Sequence, residues 1–91
     1  MPASGQSADI LRMNAMFRLQ WEEAQQAYVL LYPEGMVRLN QSASEILKLC
    51  DGTRNLLQLV ADLEAAFETT GLAADVAAFV DHAKGRGWLI I

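Results

Sequence analysis

Tyr28-Val29-Leu30-Leu31-Tyr32-Pro33-Glu34-Gly35-Met36-Val37-Arg38-Leu39 contains two strands and the turn that folds one back on the other. Tyr28–Tyr32 is a short, unbroken run of apolar, aromatic and branched side chains, which suits a central strand covered on both faces. Pro33 cannot extend that strand, because its ring fixes φ and removes the amide hydrogen. It fits the first corner of a tight turn, and Gly35 is suited to the positive φ that closes a hairpin. Met36-Val37-Arg38-Leu39 then resumes alternation as a further strand. Upstream, Phe17, Leu19 and Trp21 alternate with Arg18, Gln20 and Glu22, the period-2 mark of a strand with one buried face. Glu23-Ala24-Gln25-Gln26 connects the two. The pattern predicts a three-stranded antiparallel meander with Trp21 packed into the core.

Helical signals follow at once. Asn40 is a candidate cap, and Ser42-Ala43-Ser44-Glu45 fits the capping-box pattern. Ala43, Ile46, Leu47 and Cys50 then fall on one stripe of a first helix, which Gly52 is placed to stop. Asn55 and Gln58 suggest a second cap, after which Leu56, Leu59, Val60, Leu63 and Phe67 form the buried face of a second helix. Thr69-Thr70-Gly71 breaks it. A third helix from about Ala73 to Lys84 puts Val76, Phe79, Val80 and Ala83 on one face, and Gly85 and Gly87 end it. Trp88-Leu89-Ile90-Ile91 reads as an extended segment laid on the core. Residues 1–15, with Pro, Ser, Gly, Gln and Asn in no clean period, read as a flexible tail, and 16–91 as the folded domain. The fold class expected is α+β and winged-helix-like: a three-stranded antiparallel sheet followed by three helices.

At 91 residues the chain holds one core. Its hydrophobic fraction of 53% supports folding, yet no apolar run reaches the ~18 residues of a membrane span. The start has no signal-peptide pattern, so a cytoplasmic location is expected. Seven basic residues stand against 11 acidic ones, for a net charge of −4, and the basic residues are scattered. Nucleic-acid binding requires a concentrated positive field. The third helix, with Lys84 against Asp75 and Asp81, does not provide one.

Chemistry is sparse. One cysteine and one histidine are too few for the usual zinc ligand sets, and Asp62, Glu64 and Glu68 lie on a solvated helix face. Cys50 reads as a small buried hydrophobe. His82 is either a surface histidine near a helix end or a polar contact on a groove. There is no phosphate loop and no nucleophile motif, and no cofactor is implied. What stands out is the edge strand Met36–Leu39, which carries only Arg38 as a charge and lacks the lysine or proline that usually guards an edge. Such an edge invites an added strand, either from a peptide or from a second copy of the chain in a homodimer.

The stretches Phe17–Glu22, Val29–Asn40, Ser42–Leu47 and Cys50-Asp51-Gly52 together resemble PqqD, the pyrroloquinoline quinone (PQQ) synthesis protein D of bacteria. The resemblance continues through Val60-Ala61-Asp62-Leu63-Glu64 to Gly87-Trp88-Leu89. It implies a peptide chaperone, the recognition element of a ribosomally made peptide pathway, and not an enzyme. Such a protein binds the precursor peptide PqqA and presents it to the radical S-adenosylmethionine (radical SAM) enzyme PqqE. The family's binding mode adds the peptide beside the third strand, against the third helix. On this chain that places Met36, Val37, Arg38 and Leu39 opposite Asp75, Val76, Phe79, Val80 and His82.

Overall fold

The computed structural model describes residues 9–90. Its elements run β1 (Ile10–Met13), β2 (Arg18–Glu22), β3 (Ala27–Tyr32), β4 (Gly35–Arg38), α1 (Gln41–Leu49), β5 (Asp51–Asn55), α2 (Leu56–Ala66), α3 (Ala73–Gly85) and β6 (Leu89–Ile90). The expected meander is present, as an antiparallel sheet in the order β2-β3-β4. Central β3 is covered on both faces: consecutive residues Val29 and Leu30 are each 0% exposed. Leu30 faces the helices between Leu19 and Val37. Val29 points the other way, where the Gln25 amide reaches the Met36 thioether at 3.9 Å.

The turn is tighter than the sequence suggested. Gly35 pairs directly with Tyr32 and does not take a positive φ, so Pro33 and Glu34 alone make the corner. Trp21 shares the inner face of the sheet but sits at its open end. There it stays 43% exposed, stands edge-on to Tyr28 and donates its indole N–H to Glu23. Its predicted core position is corrected accordingly.

Helix starts follow local chemistry closely. The Asn40 side chain accepts the Ala43 N–H at 2.8 Å, so the first cap is Asn40, with Ser42 already inside α1. Asn55 and Gln58 close a complete reciprocal capping box on α2. Helix α3 has no cap of its own; the Glu64 carboxylate, reaching over from α2, accepts the Leu72 N–H at 3.0 Å.

The larger departure is a second antiparallel sheet, in the order β5-β1-β6. Ile10–Met13, expected inside a flexible tail, is its central strand. The register pairs Ile10 with Asn55 and Leu11 with Arg54 on one side, and Arg12 with Ile90 and Met13 with Leu89 on the other. Leu11, 1% exposed, joins the common core. Residues 1–8 of the expected tail lie outside the described residues, as does Ile91. The helical order is likewise interrupted: Asp51–Asn55 is a strand, not a loop between helices. Gly52 adopts its positive φ (90°) inside that strand, where the pairing with β1 shifts register and the Arg12 side chain lies over it. Arg54 fastens this strand at its outer edge by donating to the Leu49 carbonyl and to the carboxylates of Asp51 and Asp62. Trp88 is buried, at 6% exposure, whereas Phe67, read from sequence as core, is 49% exposed. Among the described residues no helix is long and apolar enough to cross a membrane.

If Ile10–Met13 is structural, Leu11→Ala removes a filled core position. It should lower the unfolding free energy by ~2–5 kcal/mol in a urea titration. A change within ~0.5 kcal/mol, as expected of an exposed tail, would show that β1 is not held.

Candidate functional site

The β3–β4 ladder determines what β4 offers to a partner. In an antiparallel pair, residues alternate between directing both backbone groups at the neighbouring strand and directing both away from it. The Leu39 N–H donates to the Tyr28 carbonyl at 3.0 Å, which marks that pair as bonded. Counting back along the register, Val37 opposite Leu30 and Gly35 opposite Tyr32 are bonded as well. Met36 and Arg38 therefore turn their N–H and C=O groups, four in all, toward the outer edge. Among the described residues no strand pairs with that edge. Side chains alternate in step: Val37 and Leu39 face the helices, whereas Met36 and Arg38 face outward.

Past the end of β4, where Asn40 leads into α1, opens a groove of about 370 Å³, walled by the first turns of α1, the end of α2 and the first turns of α3. Ala43 and Ile46 form its α1 side, Leu63 and Phe67 its α2 side, and Leu72, Val76 and Phe79 its α3 side. The other face of α1 borders a different hollow of about 460 Å³, under β2 and β3, lined by Trp21, Tyr28, Arg38, Ser44, Glu45 and Lys48. Those polar groups are largely engaged with one another: Lys48 lies 3.4 Å from Glu45 and 4.5 Å from the Tyr28 ring centroid, and the Ser44 hydroxyl donates to the Gln41 carbonyl. Asn40, at the junction of β4 and α1, borders both spaces.

The residues singled out from sequence do not all meet there. Asp75, Val76 and Phe79 line the groove, with Val76 buried, Phe79 half-buried and Asp75 exposed. Val80, 2% exposed, points into the core and is not among the lining residues. His82 lies further along α3, edge-on to Trp88 with ring centroids 5.5 Å apart, and Phe79 touches the same indole at 6.3 Å. On the strand, Met36 is 48% exposed and Arg38 exposed, Val37 is half-buried, and Leu39 belongs to the core. Sequence reasoning missed the α1 and α2 walls, because Ala43, Ile46 and Leu63 carry the same periodicity as any core stripe. Phe67 offered a faint signal: it is an aromatic residue at a helix end, just before the helix-breaking Thr69-Thr70-Gly71.

Cys50 is not poised for chemistry. Its thiol is buried and donates to the Ile46 carbonyl at 3.3 Å. Burial, aided by the charge of Asp51 and only partly opposed by Arg54, pushes its pKa from 9.0 up to about 12.

The comparisons with known proteins now bear directly on this geometry. Residues 27–89 match the family model for Coenzyme PQQ synthesis protein D (PqqD). The chain belongs to the PqqD family. A curated relative from Methylococcus capsulatus, named PqqA binding protein, is 46% identical over 80 residues, covering 88% of this chain and 86% of its own. Another of that name, from Acinetobacter baylyi, is 47% identical over 79 residues, covering 86% and 80%. The solution NMR structure of the PqqD truncation of Methylobacterium extorquens PqqCD superposes with a TM-score of 0.70 at 27% identity, covering 93% of each chain. That structure is described as a functional, stand-alone recognition element for ribosomally synthesized and post-translationally modified peptides. PqqD membership bears out the resemblance read from Val29–Asn40 and its flanks, and the matched fold bears out the α+β class with three helices.

Cys50 supplies a pH test. Because folding raises its pKa, the folded chain holds this proton more tightly than the unfolded chain does. The contribution to stability is full below the ordinary thiol value of 9.0 and is lost as pH climbs toward about 12. A thiol reagent at pH 8 should label the native chain far more slowly than the urea-unfolded chain; equal rates would contradict the burial.

Proposed function

We propose that this chain is a peptide-binding adaptor of PQQ biosynthesis, which takes the precursor peptide PqqA as an added strand on β4 and presents it to the radical SAM enzyme PqqE. The observation that carries this reading is the alternation of the β3–β4 ladder. It leaves the backbone groups of Met36 and Arg38 open on a strand that leads, through Asn40, to an apolar groove. The curated relatives' name, PqqA binding protein, supports the choice of ligand.

Strand addition suits an adaptor. Backbone hydrogen bonds engage any extended segment, and alternate side chains add selectivity. Each net bond contributes only ~0.5–1.5 kcal/mol, and ordering a flexible peptide costs ~2–5 kcal/mol. The balance favours affinity near the micromolar range, about 8 kcal/mol, from which cargo can still be released. On this reading Val37 and Leu39 support the inner side of the added strand, Asp75, Val76 and Phe79 face it from α3, and Val80 and His82 hold that helix in place through the core and Trp88. The role is binding rather than catalysis, and it requires no cofactor.

Amide hydrogen exchange tests the reading at single residues. Saturating PqqA should slow exchange at Met36 and Arg38, while Val37 and Leu39, already bonded to β3, change little. The protection should not depend on the concentration of the chain itself, as pairing between two copies would. Protection confined to the β5-β1-β6 sheet, or equal at all four residues, would overturn strand addition.

A further inference from the structure

We infer that β4 reads a two-sided pattern in its ligand: an acidic side chain opposite Arg38 on the outer face, and a branched aliphatic or aromatic side chain at an adjacent position on the inner face. This rests on the strand-addition reading above and specifies which peptide segment the edge accepts.

The outer half follows from register. A strand paired to the open side of β4 bonds to Met36 and Arg38, and its residues opposite them carry side chains on the same face. Arg38 is exposed and makes no salt bridge among the described residues, whose ion pairs use Lys48 and Arg54. Across β3, its register partner is Val29, which is fully covered, and next beyond lies Gln20, whose amide is engaged with Glu22. The guanidinium thus lacks an acidic partner within its own sheet row, and Glu45, which borders the same hollow as Arg38, is paired with Lys48, so the open side is where one can be supplied. Cross-strand pairs of opposite charge are favourable, and like charges directly opposite are not.

The inner half follows from the groove. The ligand residue opposite Val37 turns toward the helices, and the groove that opens past Asn40 is lined by Ala43, Ile46, Val76 and Phe79. The Asn40 side-chain oxygen, the polar group closest to the strand end, is committed to capping α1. Asp75 is exposed and sits at the rim. The lining is mostly apolar, with Asn40, Ser42 and Asp75 as its polar members; an inserted carboxylate would lose water over the apolar part and face Asp75, whereas an apolar side chain loses nothing polar. Because side chains alternate strictly, the acidic and the apolar determinants must lie an odd number of residues apart.

The test is a charge exchange measured by calorimetry on the full chain. Each acidic residue of PqqA is changed to Lys in turn and titrated into the wild type, Arg38→Glu and Arg38→Gln. At one acidic position, Lys should weaken wild-type binding about three- to fivefold and restore binding to Arg38→Glu. Arg38→Gln should be nearly indifferent to the exchange. Changing an apolar residue an odd number of positions away to Asp should weaken all three proteins about tenfold or more. Amide exchange at Met36 and Arg38 is recorded in parallel. If those amides gain protection but no acidic position shows the reciprocal exchange, or the two determinants lie an even number apart, the pattern is wrong and strand addition stands. If the amides gain no protection, strand addition fails, and the pattern with it.

Discussion

Strand β1 is bonded on one side to β5 and on the other to β6, and the placement of the helices depends on that double pairing. β5 runs without a break into α2, through Asn55, which is both the last residue of the strand and the cap of the helix. β6 follows α3 after the turn at Gly87. Holding β5 and β6 on either side of one strand therefore sets how α2 and α3 approach each other. Leu11 drives the same junction from within, because its side chain enters the core that all three helices share. The Glu64 carboxylate adds a polar tie by supplying the missing cap of α3.

The groove at the junction of β4 and α1 is a consequence of two chain continuities meeting. On one side β4 passes through Leu39 and Asn40 directly into α1, so the strand edge and the first helical turn are rigidly related. On the other side α2 and α3 are positioned by the β5-β1-β6 sheet. The apolar floor between them is made of residues that any helix would bury, such as Ala43, Leu63 and Val76. The surface there combines ordinary core side chains with an unpaired strand edge. Cys50 fits that picture, since burial keeps its thiol protonated and occupied with a helix carbonyl.

Much of this was legible in the chain itself. The meander followed from alternation in Phe17–Glu22 and Met36–Leu39 and from Pro33 between two apolar runs. The caps at Asn40 and Asn55 were visible because a cap depends on side chains only three residues away. The edge at Met36–Leu39 was visible for the same reason, as a short strand with no guarding residue. Trp21 and Phe67 were misread where periodicity alone assigned a side chain to the core. Periodicity gives a face, but whether the element extends past its covering neighbours is decided by the other elements, and both residues sit at element ends.

The sequence by itself thus determined the local elements, the family and the strand that offers its edge, because each depends on residues close together in the chain. Only the tertiary structure decided that Ile10–Met13 is a strand, that Asp51–Asn55 interrupts the helices, and that α1, α2 and α3 leave a groove between them. The pairings responsible join Ile10 to Asn55 and Met13 to Leu89. Partners so far apart leave no periodic mark in a four-residue segment, and their preference appears only once the chain has closed around them.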